Sequence, residues 1–439
     1  MRLVLLSLAL VIAGCGDQPF QRPSNVMGQA KPVAQEPVRP VPAGGVQAEN
    51  CPTQAPLGAM HQPLDRGPLT LAAIRCSDPE RTPRHPQVSL VSPDGQRVAA
   101  LDTGPDMTVT VQPVTGEGAL TMPAGAAFTQ LLSTRGPVAL AWSRDSQFLW
   151  GVRQPRVRPN GWALAGLRSM RFQADGRAVE LPALTLRAGP LDGIMWAGGD
   201  GLGLAVFGMN GSYYQPSHDD PAPMFAFVDA GRGRILDALP MAAVPGMERG
   251  IADRFFLRGA AVTRLPDGRL RALLETSRWV LWTQGERPRV LAMPFPDRIF
   301  RDISFTPDGN HVLLTRALQT EGVICREPGG CTRGTPVEGV FASLHDLRSG
   351  ATLWQVRGRV VTGHVRLLPA LSRDGRFALI GMPSDGFEPR LGLLDLRRGQ
   401  IVQRLPGFGA PDSVGFSDAG ELWIRSTNLT AFYRLARRR

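Results

Sequence analysis

The sequence has one lysine, Lys31, among 49 basic residues, and it has only six histidines and three tyrosines in 439 residues. Arginine therefore carries almost all of the positive charge of a chain whose formal net charge is +11. Nucleic-acid binders cluster their cations along a phosphate path, and the densest cluster here is a C-terminal tail that begins at Arg434. We interpret that tail as solvated and do not expect a nucleic-acid partner. Anionic lipid or polysaccharide surfaces remain compatible with the charge.

Long apolar runs are also absent, apart from the segment between Leu3 and Ile12. That run is about half the ~20 residues that cross a bilayer, and it follows a cation at Arg2, so residues 1–14 are predicted to be an export signal. The sequence Ile12-Ala13-Gly14-Cys15 resembles the lipobox of bacterial lipoproteins, which implies lipidation of Cys15. An ordinary secretory signal with a chance cysteine is the alternative. Gly16 in place of an aspartate favours the periplasmic face of the outer membrane over the inner membrane, and the cell surface is also compatible.

Residues 15–50 are predicted to be a lipid anchor and a disordered tether. Residues 18–50 contain six prolines and, after Phe20, no aromatic residue, so they cannot form a core. A flexible chain of this length spans about 30 to 35 Å on average. Residues 51–439 would then form the folded body, held away from the lipid surface.

The remaining cysteines form an even set, which suits an oxidising compartment. Four cysteines allow three pairings, and proximity along the chain favours Cys51 with Cys76 and Cys325 with Cys331. The first bridge would close a loop of about 25 residues and contribute ~3 kcal/mol. No nearby histidine completes a tetrahedral metal set, so a metal site at these cysteines is not expected.

Glycine and proline are abundant, with 50 and 39 residues, which argues against a mostly helical fold. From residue 65 onward a turn flanked by alternating apolar residues recurs. Its end points lie at Gly95, Ser146, Gly201, Gly268, Gly309, Gly375 and Gly420. Before the turn, apolar residues alternate with a period of two, which is typical of half-buried strands, while proline and glycine preset the turn.

A second strand, turn and strand pattern follows in several units, as in LHDLRSGATLWQV and LLDLRRGQIVQRL. Two hairpins in about 50 residues predict a four-stranded antiparallel blade. The sequence therefore predicts an all-β fold, a seven-bladed β-propeller of four-stranded antiparallel blades. The last unit is short by one strand, and the segment Pro68 to Arg75 is expected to supply that strand and close the ring.

The segment from Thr362 to Gly399 resembles one unit of the Trp-Asp-repeat propellers. Gly363-His364 takes the Gly-His place and Leu394-Asp395 takes the Trp-Asp place, although the signature tryptophan is absent. His345-Asp346 is the nearest other variant. Residues 65 to 439 also resemble the propeller of the Tol-Pal-associated periplasmic protein, whose units carry similar turns. The resemblance implies a propeller in a bacterial envelope.

Common catalytic motifs are missing, including Gly-x-Ser-x-Gly, His-Glu-x-x-His and the phosphate-binding loop. One compact polar cluster occurs, at His218, Asp219 and Asp220, where an imidazole beside two carboxylates can bind a divalent ion or share a proton. Flanking prolines equally fit an ordinary polar loop. We therefore expect no cofactor, no confident metal site and no catalysis.

The expected function is a non-catalytic platform that binds a protein or an anionic envelope polymer, with a membrane contact through the lipid anchor. Three insertions, at 208–224, 243–257 and 319–338, are expected to supply the binding loops. The alternative is a hydrolase or lactonase that uses the central channel of the propeller.

Overall fold

The computed structural model describes the parts of the chain that form regular strands and tight turns. These are residues 48–49, 67–76, 88–102, 108–114, 120–123, 140–143, 145–146, 148–153, 165–173, 178–180, 184–186, 191–198, 200–207, 224–247, 257, 259–293, 301–316, 323–326, 330–333, 337–360, 369–382, 390–405, 411, 413–417, 419–426 and 429–435. All of them belong to one compact unit, Val46–Arg439. Within these ranges no helix has the length and apolar character that a membrane crossing needs.

The described chain begins with two strands that pair in parallel, β1 (Ala48–Glu49) and β2 (Leu69–Cys76). Blade 1 follows and consists of β3 (Val88–Val91), β4 (Arg97–Asp102), β5 (Thr108–Pro113) and β6 (Leu120–Pro123). Blade 2 consists of β7 (Leu140–Trp142), β8 (Phe148–Arg153), β9 (Ala165–Gln173), β10 (Ala178–Glu180) and β11 (Leu184–Leu186). Both β10 and β11 pair antiparallel with β9, at its two ends, so they act as one interrupted outer strand.

Blades 3 and 4 are regular four-stranded antiparallel sheets. Blade 3 contains β12 (Leu191–Trp196), β13 (Leu202–Phe207), β14 (Met224–Asp229) and β15 (Arg234–Pro240), followed by a 3₁₀ turn at Met241–Ala243. Blade 4 contains β16 (Gly259–Arg264), β17 (Leu270–Glu275), β18 (Trp279–Thr283) and β19 (Arg289–Leu291).

Blade 5 carries an insertion between its second and third strands. Its own strands are β20 (Arg301–Phe305), β21 (His311–Arg316), β24 (Val337–Asp346) and β25 (Thr352–Val360), and the insertion contains the separate hairpin β22 (Val323–Arg326) and β23 (Gly330–Arg333). Blade 6 consists of β26 (Ala370–Leu371), β27 (Phe377–Met382), β28 (Arg390–Asp395) and β29 (Gln400–Leu405).

The closing sheet combines the two ends of the chain. Its C-terminal strands are β30 (Ser413–Phe416), β31 (Leu422–Ser426) and β32 (Leu429–Leu435). Strand β2 pairs antiparallel with β32, from Leu69 opposite Leu435 to Cys76 opposite Leu429. The N-terminal segment that was expected to complete the last unit therefore lies in this sheet, with β1 added at its edge.

The prediction of a seven-bladed propeller is wrong in its count. The described strands form six blades, not seven, that each take all of their strands from one continuous stretch of chain. The remaining sheet is a five-stranded composite with one parallel strand pair. The count of repeat turns is seven because the composite sheet also contains one such turn, at Gly420. The all-β propeller and its four-stranded antiparallel blades hold.

Apolar side chains between successive sheets form the core, and their packing joins each sheet to its neighbours in the ring. Phe227 of blade 3 stacks on Trp282 of blade 4 with ring centroids 4.0 Å apart. Trp279, on the opposite side of β18, packs in the cluster shared by blades 4 and 5. Tyr433 packs with residues of blade 6, and Phe432, from the other side of β32, packs with blade 1. Each fully buried aromatic or aliphatic side chain contributes about 1.5–3 kcal/mol, so the interfaces between sheets hold the ring together.

Candidate functional site

The ring has two faces with different connections. Strands alternate in direction within each sheet, so the first and second hairpin turns of every blade lie at one end of the sheets. We call this end the turn face; its first turns are 92–96, 143–147, 197–201, 265–269, 306–310, 372–376 and 417–421. The opposite end, the loop face, holds the connections between second and third strands and those between sheets. These include 103–107, 154–164, 208–223, 248–258, 317–336 and 361–369.

The first turns of blades 1, 4, 5 and 6 share one hydrogen-bonding scheme, in which an aspartate accepts the main-chain N–H of the residue two positions later. In blade 5 the Thr306 hydroxyl donates to Asp308, whose Oδ1 accepts the Asn310 N–H at 3.1 Å. In blade 6 the Asp374 carboxylate likewise accepts the Arg376 N–H at 3.0 Å. Glycine closes these turns with positive φ, for example 67° at Gly309. The aspartates predicted from the repeat are therefore structural parts of the turns.

The second turns use a different aspartate, at the end of the third strand. Asp346 accepts the Arg348 N–H at 3.0 Å, and it also accepts the hydroxyl and N–H of Ser349. Asp395 accepts the N–H groups of Arg397 and Arg398 at 3.0 and 3.2 Å. Hydrogen bonds from the Ser349 hydroxyl and the Arg348 N–H hold the pKa of Asp346 below its usual value. Both carboxylates are thus occupied by their own turns.

Side chains of the outer strands connect blades 3, 4 and 5 to the second turn of the next blade. Asp237 of blade 3 accepts the Gly285 N–H of blade 4 at 2.7 Å. Arg289 of blade 4 donates to the Leu347 carbonyl of blade 5 at 2.6 Å. Trp354 Nε1 of blade 5 donates to a carbonyl of blade 6, that of Leu396, at 2.7 Å.

The same arrangement continues from blade 6 to the closing sheet. Gln403 is buried in β29, and its side-chain amide makes two hydrogen bonds to the main chain of Leu69. Oε1 accepts the Leu69 N–H at 2.7 Å, and Nε2 donates to the Leu69 carbonyl at 3.0 Å. No element of the sequence pattern indicated this contact, since the two residues are 334 positions apart.

Exposed arginines lie at or beside the second turns. Those of blade 3 form ion pairs with a carboxylate, whereas, among the described residues, those of blades 5 and 6 do not. In blade 3, Arg232 and Arg234 both reach Asp229, at 3.1 and 3.5 Å. In blades 5 and 6, Arg348, Arg397 and Arg398 are exposed. The part of the chain that the structure describes supplies no carboxylate in an ion pair with these three guanidinium groups. The arginine shared by the two Asp-Leu-Arg sequences was the available clue to them.

The predicted polar cluster lies outside the described residues, because His218, Asp219 and Asp220 fall in the connection 208–223. The predicted binding insertions 208–224 and 243–257 fall largely outside them as well, whereas half of the insertion 319–338 is described, including the β22–β23 hairpin. The strands that flank all three insertions begin or end at the loop face. Among the described residues, no group of three or more histidine, cysteine or acidic side chains is arranged to hold a metal ion.

The predicted cysteine sites are covered only in part. Cys15 and Cys51 lie outside the described residues. Cys76, the last residue of β2, is disulfide-bonded. Cys325 and Cys331 stand directly opposite each other in the β22–β23 hairpin. The backbone register thus places the second predicted pair side by side, and their bridge stays a prediction.

Comparisons with known proteins give similarity at the level of the fold. The WD40 β-propeller domain of Doa1 aligns over 84% of this chain and 97% of its own, with 12% identity and a TM-score of 0.48. A hydrazine synthase of Kuenenia stuttgartiensis aligns over 81% of this chain and 97% of its own, with 16% identity and a TM-score of 0.44. No family model and no curated protein matches the chain. The propeller assignment rests on the strand order and pairing described above.

Proposed function

We propose that this chain is a non-catalytic binding protein of a bacterial envelope, which uses the loop face of its propeller to hold a protein or an envelope polymer. The observation that carries the proposal is the position of the long connections. Residues 208–223, 248–258 and 317–336 all join strands at the loop face, whereas the described connections at the turn face are four- or five-residue turns. Variable loops on a rigid ring are a common basis for recognition.

The turn face is less adaptable, which supports the choice of the loop face. Its aspartates bind the main chain of their own turns, and its neighbouring blades are joined by side chains such as Arg289 and Trp354. Changing these residues to fit a partner would disturb the contacts between blades. Binding residues can vary at the loop face without this cost, and the separate β22–β23 hairpin is inserted between two strands that meet this face in blade 5.

We place the protein at the membrane through Cys15. The proposal is that residues 1–14 direct export, that Cys15 carries acyl chains, and that residues 15–50 form the tether. Several acyl chains on one residue give stable anchoring. Intact-mass spectrometry of the protein from its native membrane tests this, because a Cys15→Ser variant should lose the lipid mass and leave the membrane fraction. An unmodified amino terminus in the native protein would contradict it.

The binding role is tested by cross-linking and capture with the full chain from detergent-solubilised envelopes. We expect a reproducible partner that is lost when residues 208–223 are replaced by a short Gly-Ser linker. Arg232→Ser/Arg234→Ser is the matched control, because it changes the opposite end of the same blade and should retain the partner.

Two outcomes would contradict the proposed role. One is a partner that is still bound after separate replacement of 208–223, 248–258 and 317–336. The other is turnover of a model ester or lactone that disappears in His218→Ala, since this result would favour the enzyme that uses the central channel.

A further inference from the structure

We propose that the turn face of blades 5 and 6 docks on an anionic lipid surface through Arg348, Arg397 and Arg398, which we call the arginine corner. These side chains are exposed at the second turns of two adjacent blades. The site lies opposite the loop face, so it adds a second surface to the proposed binding protein.

The guanidinium groups of the arginine corner are available for an external anion. The nearest carboxylates in sequence, Asp346 and Asp395, accept main-chain N–H groups of the turns. Some other arginines of the turn face are engaged by carboxylates. Arg269, for example, pairs with Asp267 at 2.8 Å and with Glu286 at 2.6 Å.

A side-chain contact joins the outer strand of blade 5 to the second turn of blade 6. Trp354, in the strand that follows the Arg348 turn, donates to the Leu396 carbonyl of the next turn. The same indole ring packs so closely on Gly399 that an added Cβ would lie 2.6 Å from it. The contact brings the Arg348 turn beside the turn that carries Arg397 and Arg398.

Blade 6 has a marked excess of positive charge. Its described residues, 369–382 and 390–405, contain six arginines and two aspartates, which leaves four positive charges. The corresponding residues of blade 3, 191–198, 200–207 and 224–240, contain two arginines and four aspartates, which leaves two negative charges. Blades 4 and 5 lie between blade 3 and blade 6 in the ring. The positive charge therefore does not surround the whole ring.

The chemistry of this surface suits lipid headgroups better than an acidic protein. Protein hot spots are built around buried aromatic or aliphatic anchors. The only large hydrophobic side chains exposed among the described residues are Val290 and Leu353, which lie on separate blades. Headgroups need only spread cations at the bilayer surface, and each arginine there contributes about fivefold in affinity.

The course of the chain agrees with this orientation. Strand β32 runs from the loop face to the turn face and ends at Leu435, next to the exposed Arg434. The sequence then continues with Ala436 and three arginines. Strand β1 runs parallel to β2, which starts at the turn face, so the preceding chain enters β1 from that direction. The direction from which the chain enters β1 supports the proposal only if Cys15 is lipidated, as proposed above. The argument from charge does not depend on this lipidation.

Vesicle binding of the full chain tests the proposal. The probes are vesicles of phosphatidylcholine alone and vesicles with about one-third phosphatidylglycerol, at about 0.05 M and about 0.5 M NaCl. We expect Arg397→Ser/Arg398→Ser to weaken binding to the anionic vesicles by about 25-fold at low salt. Binding to the neutral vesicles, which reports the acyl anchor, should not change. The matched control, Arg232→Ser/Arg234→Ser, should lose less than about threefold because its arginines are paired and lie in an anionic blade.

Two further measurements distinguish a loss of charge from a loss of folding, and a lipid surface from an acidic polypeptide. Arg397→Lys/Arg398→Lys keeps the charge and should bind within about threefold of the unmodified protein. Equal losses in the two serine variants, or no loss in Arg397→Ser/Arg398→Ser, would overturn the proposal. A parallel binding assay uses polyglutamate as a model acidic polypeptide. If Arg397→Ser/Arg398→Ser loses only its binding to polyglutamate, the partner is an acidic polypeptide and the proposal is wrong. The assay contains no protein partner, so its outcome is independent of the loop-face proposal.

Discussion

The contact between Gln403 and Leu69 predicts that one side chain holds the N-terminal strand in the ring. Gln403→Leu preserves the approximate volume but leaves the N–H and the carbonyl of Leu69 without this partner. Both residues are 1% exposed, so water cannot easily replace the lost hydrogen bonds. An unsatisfied buried group costs about 1–3 kcal/mol. Two such groups give an expected loss of about 2–6 kcal/mol in the free energy of unfolding.

The location of the loss is as informative as its size. Hydrogen exchange should accelerate at least about tenfold in β2, because local opening of the strand becomes easier by about 2 kcal/mol or more. Exchange in β13 of blade 3 should be unchanged. Chemical denaturation followed by tryptophan fluorescence should show a lower midpoint.

The control is Gln400→Leu, which changes an exposed glutamine at the start of the same strand and should shift the free energy of unfolding by less than about 0.5 kcal/mol. If Gln403→Leu also stays below about 0.5 kcal/mol and β2 keeps its protection, the side chain does not secure the ring.

Three further predictions concern the turns and the inserted hairpin. Gly399→Ala should cost about 2–4 kcal/mol in thermal or chemical unfolding, because φ is +64° and the new methyl group meets an indole ring. Gly420→Ala, with φ of +78° and open space, should cost only about 1 kcal/mol, and equal losses would refute the steric argument. The lowered pKa of Asp346 means that its stabilising effect is present above the ordinary aspartate pKa and is lost as pH falls through the lowered value. The stability difference between the unmodified protein and Asp346→Asn should therefore shrink between neutral pH and about pH 2, and a difference that stays constant would contradict this. Non-reducing peptide mapping should recover Cys325 linked to Cys331, and free thiols at both positions in protein from an oxidising compartment would contradict the pairing.

Local sequence patterns were sufficient to predict the repeat turns and the strands beside them. Glycine at the turn ends has positive φ as expected, at Gly95 and Gly375 for example. Ser146 occupies the same position with φ of 59°, and it is buried. Its hydroxyl accepts the Asp94 N–H and its carbonyl accepts an Arg97 N–H, so contacts with the neighbouring blade support the unfavourable backbone.

The count of blades failed because a turn identifies one hairpin and not the sheet that contains it. The turn at Gly420 belongs to a sheet whose other strands come from the opposite end of the chain. The short parallel strand β1 has no alternation that could have revealed it. The site residues were missed for a related reason. Contacts such as Trp354 with Leu396 join positions that are 42 residues apart and depend on how adjacent blades meet.

The composite sheet has a consequence for biosynthesis. Strand β2 is made early, but its hydrogen-bonding neighbours β32 and Gln403 are among the last parts to be translated. At about 5–20 residues per second, the ribosome needs tens of seconds to supply them. During that interval the edge of β2 is open to wrong partners. Export of an unfolded chain, with ring closure only after release, would avoid this exposure.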